Sequence, residues 1–456
     1  MSLAVAARGE AFAIVDATGD AGRVEAYRRL RRQAFVEEQG LFDGHDLDGF
    51  DATDATRVLV AVDADGDVVG GVRLHPEPDH PHLAWWRGSR LVCSRHPGVR
   101  RGDVGGALVR AACATAQAEG ALRFDAHVQE RFGAFFERLG WEHAGAVQVA
   151  GTPHLLMRWP IGRFERLAEA TKAPLGELLA GLLPADRWLG DDGVPVAGTD
   201  VVACTDAILP SMVADDPEWA GWCALLVNAH DLAAMGAAPV GALDAHGARD
   251  ADHAERVLQG LRAGSQALDL PILGGHTQLG VGAALSVTAL GRTTDPVPAS
   301  GGRAGDAITV TADVAGGWRP GYEGRQWDSS SGRTRDELRP MLDAVRTARP
   351  RAAKDVSMAG IVGTVGMLAE ASGCGADMDV AAIPRPAGAA LGDWLTCFPG
   401  FAMITVDDRT KPAPPAGEAI GARCGTLGAA PGVRLRWPDG AITAAVGDVT
   451  GLGRAT

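Results

Sequence analysis

Through the first third of the chain, short apolar runs with strand periodicity alternate with stretches whose apolar residues recur at helical spacing. That pattern predicts short strands interleaved with amphipathic helices over residues 1–160. It closes at "HLLMRWPIGRF", where a strand runs into Pro160 and Gly162. A helix-rich connector follows in "RFERLAEATKAPLGELLAGLLPADRWLGDDG", interrupted by Pro174 and Pro184 because proline does not continue a helix. From "TDVVACTDAIL" to "AALSVTALGRT" the order reads strand, helix, strand, helix, strand, and the Pro and Gly content of "TDPVPASGGRAGD" marks a junction. Three domains follow, at 1–160, 161–300 and 301–456, in an α/β and α+β multidomain chain. Inside the third, "WRPGYEGRQWDSSSGRTRDE", within 316–337, is polar and aperiodic, and predicts a mobile loop, either a lid or a solvated insertion.

One helix breaks its own pattern. "AGWCALLVNAHDLAAMGA" is apolar on nearly every side, yet carries Asn228, His230 and Asp231. Asn228 and Asp231 are three apart and share a face. Gly236 fits a left-handed C-cap and Pro239 blocks continuation. An ionised carboxylate in such a setting neutralises or finds a partner.

Composition narrows the partners. Of 456 residues, 46% are hydrophobic and 22% charged, the balance of a globular chain. A formal charge of −14 without a basic arm argues against nucleic acid, whose binding draws on clustered Lys and Arg. Seven scattered cysteines without a Cys-x-x-Cys pair point to a reducing compartment. No stretch reaches the roughly 18 apolar residues of a membrane span, and the N-terminal stretch lacks a signal-peptide pattern. The expectation is a cytoplasmic protein acting on small molecules.

In the first domain, "GSRLVCSRHPGVRRGDVGGALVRAACATAQAEGA" predicts a strand at Leu91–Cys93, a basic glycine loop, and a helix from near Val104. A helix start with free N–H groups attracts anions. Gly102, Gly105 and Gly106 let a phosphate approach the main chain, and Arg100 and Arg101 add charge. With "FVEEQG", "VVGGVRL" and "FFERLGW" around that loop, residues 10–160 resemble the GNAT superfamily of acyl-CoA N-acyltransferases. The resemblance implies a mixed sheet with helices, acetyl-CoA or another acyl-CoA as cofactor, its pyrophosphate on the Arg100–Gly106 loop, and its pantetheine arm along the backbone of Leu91, Val92 and Cys93. Asp103 stands at an expected loop glycine, and Phe136 aligns with the family's frequent tyrosine. A base for the incoming amine comes from Glu37, Glu38, Asp46 or Asp48, or from a water they hold, and Glu38 is the one carried forward as catalytic. His127, after the strand "LRFDAHV", sits where side chains line such a cleft, although a hydrogen-bonded core histidine is the preferred reading.

Four pieces of the second domain put polar groups at element edges: "GDDG" at 190–193, "CTDAILP" at 204–210, "NAHDLAAMGAAP" at 228–239 and "LGGHTQ" at 273–278. "VVACTD" is an apolar strand that delivers Asp206 at its end. If Asp191, Asp192, Asp206 and Asp231 converge, they repel one another unless cations sit between them, an arrangement that suits Mg²⁺ and ATP. Read singly, Asp191 and Asp192 cap a turn and Asp231 faces solvent.

Taken in this order and spacing, with "KDVSMAGIVGTVGMLAEASGCGADMDVAAIP" in the third domain, the pieces resemble the PurM or AIR synthase-like superfamily over about 165–450. That superfamily includes thiamine-monophosphate kinase, selenophosphate synthetase and a hydrogenase maturation dehydratase. The resemblance implies a PurM-like N-terminal α/β domain, a PurM-like C-terminal α+β domain, and a homodimer through the former. It also implies Asp191, Asp192, Asp206 and Asp231 as metal ligands, with Asp206 and Asp231 catalytic. Asn228, Gly274, Gly275, His276, Thr277, Lys354, Asp355 and Ser357 then fall on the nucleotide. Met358 and Ala359 depart from the family segment. The function so implied is a bifunctional enzyme that acylates a small amine and activates an amide, acid or phosphate acceptor with ATP. The competing reading is a non-catalytic scaffold with degenerate CoA and nucleotide sites.

Overall fold

A computed structural model of the chain describes residues 12–94 and 101–456. The chain divides into two compact units, Met1–Ile161 with Ala390–Gly392, and the remainder from Gly162.

The first unit is built on a seven-stranded sheet, β1 (Phe12–Asp16), β2 (Arg57–Asp63), β3 (Val68–Pro76), β4 (Trp85–Cys93), β5 (Arg123–Gln129), β6 (Glu142–Val149) and β7 (Thr152–Trp159). The strand order is β1-β2-β3-β4-β5-β7-β6. Helices α1 (Ala21–Arg31), α2 (Arg101–Ala118) and the short α3 (Gly133–Glu137) complete it. "VVGG" explains how helices reach both faces of β3. Adjacent strand residues face opposite sides. A Cβ on Gly70 would fall 2.9 Å from the Val104 side chain of α2, and one on Gly71 only 2.5 Å from the Tyr27 ring of α1. Bare backbone at both positions admits the two helices, and Leu59, Val72, Leu108, Phe124 and Met157 form the buried core beneath α2.

The chain pairs antiparallel throughout this sheet except between β4 and β5, whose parallel ladder covers only Trp85–Gly88 against Arg123–Ala126. Beyond Gly88 both strands continue without pairing to each other, so the sheet opens into a cleft.

The second unit begins with α4 (Arg163–Thr171) and α5 (Leu175–Leu178), separated at Pro174. A five-stranded sheet follows, β8 (Val194–Pro195), β9 (Val201–Ala207), β10 (Ala238–Ala248), β11 (Ile272–Leu279) and β12 (Ala284–Arg292), in the order β11-β10-β12-β9-β8. Three helices belong to this part: α6 (Pro210–Asp215), α7 (Pro217–Ala234) and α8 (Ala251–Leu268). Gly236 takes φ +64° just past α7, the left-handed turn that ends the helix.

The remaining strands are β13 (Ala307–Ala312), β14 (Gly317–Trp318), β15 (Gln326–Asp328), β16 (Ala352–Asp355), β17 (Gly375–Asp379), β18 (Phe398–Pro399), β19 (Ala402–Asp407), β20 (Ile420–Gly428), β21 (Val433–Arg436) and β22 (Ile442–Val446). Seven form one sheet ordered β16-β19-β13-β20-β17-β21-β22, with α9 (Arg335–Leu342), α10 (Ala344–Ala348) and the buried α11 (Gly360–Ala371) in the same part of the chain.

Residues 316–337 are not an unstructured loop. β14, β15 and β18 make a small sheet. Trp327 is buried against Trp318 and Trp394, and its indole N–H donates to the Ala315 carbonyl at 2.6 Å. Two tryptophans spaced by polar residues carry no periodic signal, yet they anchor the segment. No described helix is long and apolar enough to cross a membrane.

Candidate functional site

In the second unit, side chains from four elements meet. The turn at Gly190–Gly193 supplies Asp192, β9 brings Asp206, α7 brings Asp231, and β16 ends in Lys354 and Asp355. Carboxylate oxygens of Asp192, Asp231 and Asp355 lie within 4.8 Å of one another. The backbone N–H of Asp355 donates to Asp192 at 2.9 Å. The Lys354 ammonium donates to the Gly190 carbonyl at 3.0 Å and also to the Asp192 carboxylate. Asp206 and Asp231 share a hydrogen bond. The group forms part of the lining of a cavity of about 700 Å³, which Ser357 and Met358 also line.

The electrostatics are those of crowded acids. Burial raises the Asp231 carboxyl well above the usual range, and Asp355, Asp206 and Asp192 push it further. Burial raises Asp355 as well, with Asp192 adding to it and Lys354 opposing. Burial alone would lower Lys354, but the carboxylates of Asp192 and Asp355 outweigh it and hold the ammonium charged. One cation against three clustered acids leaves a negative centre of hard oxygen donors.

The polar residues of α7 follow from its register with β9. Asn228 meets Cys204, whose thiol lies 3.4 Å from the amide oxygen, while Asp231 reaches Asp206 two residues farther along the strand. Asn228 is fully buried, its amide nitrogen donating to the Ala224 carbonyl at 2.8 Å. It pins helix to strand and does not line the cavity, which corrects its assignment to the nucleotide.

Asp191 also departs from expectation. Neighbouring residues in an extended turn point apart, and Asp191 accepts the Ala299 N–H at 2.8 Å, outside the three-carboxylate group. Its second oxygen is buried without a hydrogen bond among the described residues. Burial pushes this carboxyl up to about 7, against the opposing Ala299 N–H and Lys354. The folded state therefore holds a proton between pH 4 and 7 that the unfolded chain has released, so stability falls as pH rises through that window and is flat above it. The full span is worth about 4 kcal/mol at most. Urea midpoints at pH 5 and pH 8 should drop less for Asp191→Asn than for the wild type, and parallel profiles would contradict the assignment.

Gly274, Gly275, His276 and Thr277 lie on β11, at the edge of its sheet and exposed along its whole length. The structure does not bring them to the carboxylate cavity.

In the first unit the cleft between β4 and β5 encloses about 580 Å³, bordered by Leu91–Cys93, Gly102, Gly105, Phe135, His127 and Glu38. Gly106 sits in α2 beside Arg110 and is not in that lining. Arg90 and Leu91 together face Val72 in a bulge, with Arg90 at φ +57°, which turns the strand where the cleft opens. Arg100 lies outside the described residues, as does the side chain of Arg101. Asp103 is exposed on the first turn of α2.

Asp46 and Asp48 are not available as bases. Arg31 binds Asp46 at 2.7 Å and Arg73 grips Asp48 at 2.6 and 2.8 Å, while Arg90 touches both. Burial would raise Asp48, but Arg73 and Arg90 hold it low and ionised. Glu38 stands exposed on the cleft wall, accepting from the Gln33 amide at 3.2 Å. His127 lines the cleft, the position the sequence offered beside the preferred reading of a core histidine. Burial, reinforced by Arg87, pushes it down to about 4, so it is a neutral imidazole at pH 7. Phe136 packs edge-on to Trp141 in the core, which is why an aromatic without a hydroxyl serves there.

Family models match along the chain: the acetyltransferase (GNAT) family at residues 24–141, the AIR synthase related protein N-terminal domain at 190–293, and its C-terminal domain at 303–411. The chain is 34% identical over 223 residues to an uncharacterized protein of Synechocystis sp., covering 47% of this chain and 69% of that one. It is 35% identical over 135 residues to a thiamine-monophosphate kinase of Synechococcus elongatus, covering 27% of this chain and 41% of the relative. Among solved structures, PurL of T. maritima complexed with ATP aligns at TM-score 0.52 and 15% identity, over 65% of this chain and 53% of that one. At that identity the likeness concerns the fold.

Proposed function

We propose that this chain, which belongs to the AIR synthase related family and carries a GNAT-family acetyltransferase domain ahead of that module, is a bifunctional enzyme. Its first domain transfers an acyl group from acyl-CoA to a small amine. Its second unit phosphorylates the oxygen of an amide or acid with ATP, and the amide made by the first step is one candidate for the second.

The observation that carries this reading is the convergence of Asp192, Asp231 and Asp355 with Lys354 at one cavity. Three clustered carboxylates, two of which (Asp231 and Asp355) are raised by burial and by neighbouring acids, fit a divalent cation, and an all-oxygen donor set fits Mg²⁺. Bound there with Asp206 alongside, Mg²⁺ would neutralise nucleotide phosphates. Lys354 holds Asp192 in position and balances part of the charge. An activated amide oxygen becomes a phosphate leaving group that a nitrogen or sulfur nucleophile displaces, or that eliminates to a nitrile. ADP release that requires both Mg²⁺ and an added amide tests the step, and ADP release indifferent to the acceptor would contradict it.

For the acyl step, Gly105 borders the cleft at the start of α2, and a Cβ there would make only ordinary contacts with Phe135 and Cys93. Gly105→Asp therefore adds charge without a clash where the helix start favours an anion. Acyl-CoA affinity by calorimetry should fall roughly tenfold; an unchanged affinity would place the pyrophosphate elsewhere.

Homodimerisation through residues 165–300 belongs to the same proposal. Among the described residues β11 bonds to β10 alone, and it presents Ile272, Leu273 and Leu279 at 37, 55 and 54% exposure, an apolar edge of the kind that pairs. Sedimentation should give the mass of two chains, and a monomer at all concentrations would refute it.

A further inference from the structure

We infer that the acceptor phosphorylated in the carboxylate cavity is an uncharged amide with an apolar body, and not a phosphate ester. The inference rests on the ATP-dependent reading above and names its substrate class.

The cavity lining combines two chemistries. Asp192, Asp206, Asp231 and Asp355 supply the acids. Leu179, Leu183, Trp188, Leu209, Met212 and Met358 are among its apolar residues. Six aspartates line the cavity in all, with Asp186 and Asp191 completing the set. The cations among the described lining residues are two lysines, and no arginine joins them. Lys354 is bound to Asp192, and the charge of Lys172 acts on Asp355. A phosphate or carboxylate on the acceptor would thus meet acids and leucines where such groups are ordinarily held by Arg or Lys. Whatever charge a bound divalent cation supplies is taken up by the nucleotide.

The wall also has apolar surface left open. Leu183, Leu209 and Met358 are 44, 50 and 48% exposed although they line a concave site. Covering them with the hydrocarbon part of an acceptor removes that surface from water, and each added methylene should raise affinity about fourfold until the wall is filled. The carbonyl end is then left facing the aspartates. In the step itself the amide oxygen attacks the γ-phosphorus of ATP. The bond from that phosphorus to the bridging oxygen breaks with its electron pair going to ADP, and the amide nitrogen loses a proton to solvent, giving an imidoyl phosphate.

The test is Mg²⁺-dependent ADP release by the full chain with acetamide, butyramide and hexanamide, and with an amide of matched length that ends in a phosphate monoester. Affinity for Mg·ATP is measured separately by calorimetry. The expected result is a kcat/KM that climbs with chain length, with the phosphorylated amide poorest. Leu183→Asp, a change at a half-exposed position, should lower kcat/KM for hexanamide about tenfold, a larger loss than for acetamide, with Mg·ATP affinity at the wild-type value. Leu183→Ala repeats the test without a new charge and should show a smaller loss of the same kind. A flat chain-length series, or preference for the phosphorylated amide, overturns the inference. So does a loss of Mg·ATP affinity in Leu183→Asp, which would assign the wall to the adenine. Failure of the wild type to bind Mg·ATP at all would remove the ATP-site reading beneath it, and is distinguished by the calorimetry alone.

Discussion

Asp231→Asn is expected to abolish the rise in melting temperature produced by Mg·ATP and, without ligand, to make the protein more stable at pH 8. Asp231 is 8% exposed and stands among Asp192, Asp206 and Asp355. Asparagine keeps the shape and can still hydrogen-bond to Asp206, so the change removes charge with little repacking. A ligand at one hundred times its dissociation constant stabilises a protein by about 2.7 kcal/mol, and that contribution should vanish. The gain without ligand follows from the sign of the shift. Raised above its unfolded value by burial and neighbouring acids, the carboxyl destabilises the fold at every pH where it ionises, and removing it relieves roughly 1–3 kcal/mol. Acyl-CoA affinity should stay at the wild-type value. Equal Mg·ATP shifts in variant and wild type would show that Asp231 takes no part in binding.

Asp125→Ala should unfold the first unit at markedly lower urea, with a loss of about 3–5 kcal/mol. Asp125 has no solvent exposure and binds Arg123 at 2.7 Å, Arg158 at 2.8 Å and the Trp85 indole at 3.2 Å. Arg123 is itself 1% exposed, so alanine removes a buried carboxylate from a buried guanidinium. The pair belongs to β5, Trp85 to β4 and Arg158 to β7, so one carboxylate ties together the strands where the cleft begins. Acyl-CoA affinity should fall along with stability. Asp125→Asn, which keeps acceptor geometry, should cost less than alanine; a loss under 1 kcal/mol for Asp125→Ala would mean the network relaxes without it.

Much of the second unit's site was legible because its residues sit at element ends. An apolar strand that ends near Asp206, and an apolar helix that carries Asn228, His230 and Asp231 past its middle, are local signals, and both aspartates line the cavity. Asp355 was harder to place as a member of the carboxylate group, since β16 belongs to the other sheet and its distance from "GDDG" along the chain says nothing about convergence. The choice between Asp191 and Asp192 was not legible at all: both line the cavity, and the Ala299 N–H bonded to Asp191 goes with its absence from the three-carboxylate group. In the first unit Asp46 and Asp48 read as candidate bases. Arg31, Arg73 and Arg90, drawn from a helix, a strand and a bulge, bind those acids, and no spacing in the sequence announces that meeting.

Asp192, Asp231 and Asp355 are proposed to hold the metal of a nucleotide site. Crystals grown with Mn²⁺ and a non-hydrolysable ATP analogue test it most directly through the anomalous scattering of manganese. The account predicts a manganese peak bonded to oxygens of all three carboxylates, with the analogue's terminal phosphate on the same ion. Nucleotide bound with the ion elsewhere, or Lys354 still seated on Asp192 with no metal among the three, would contradict it.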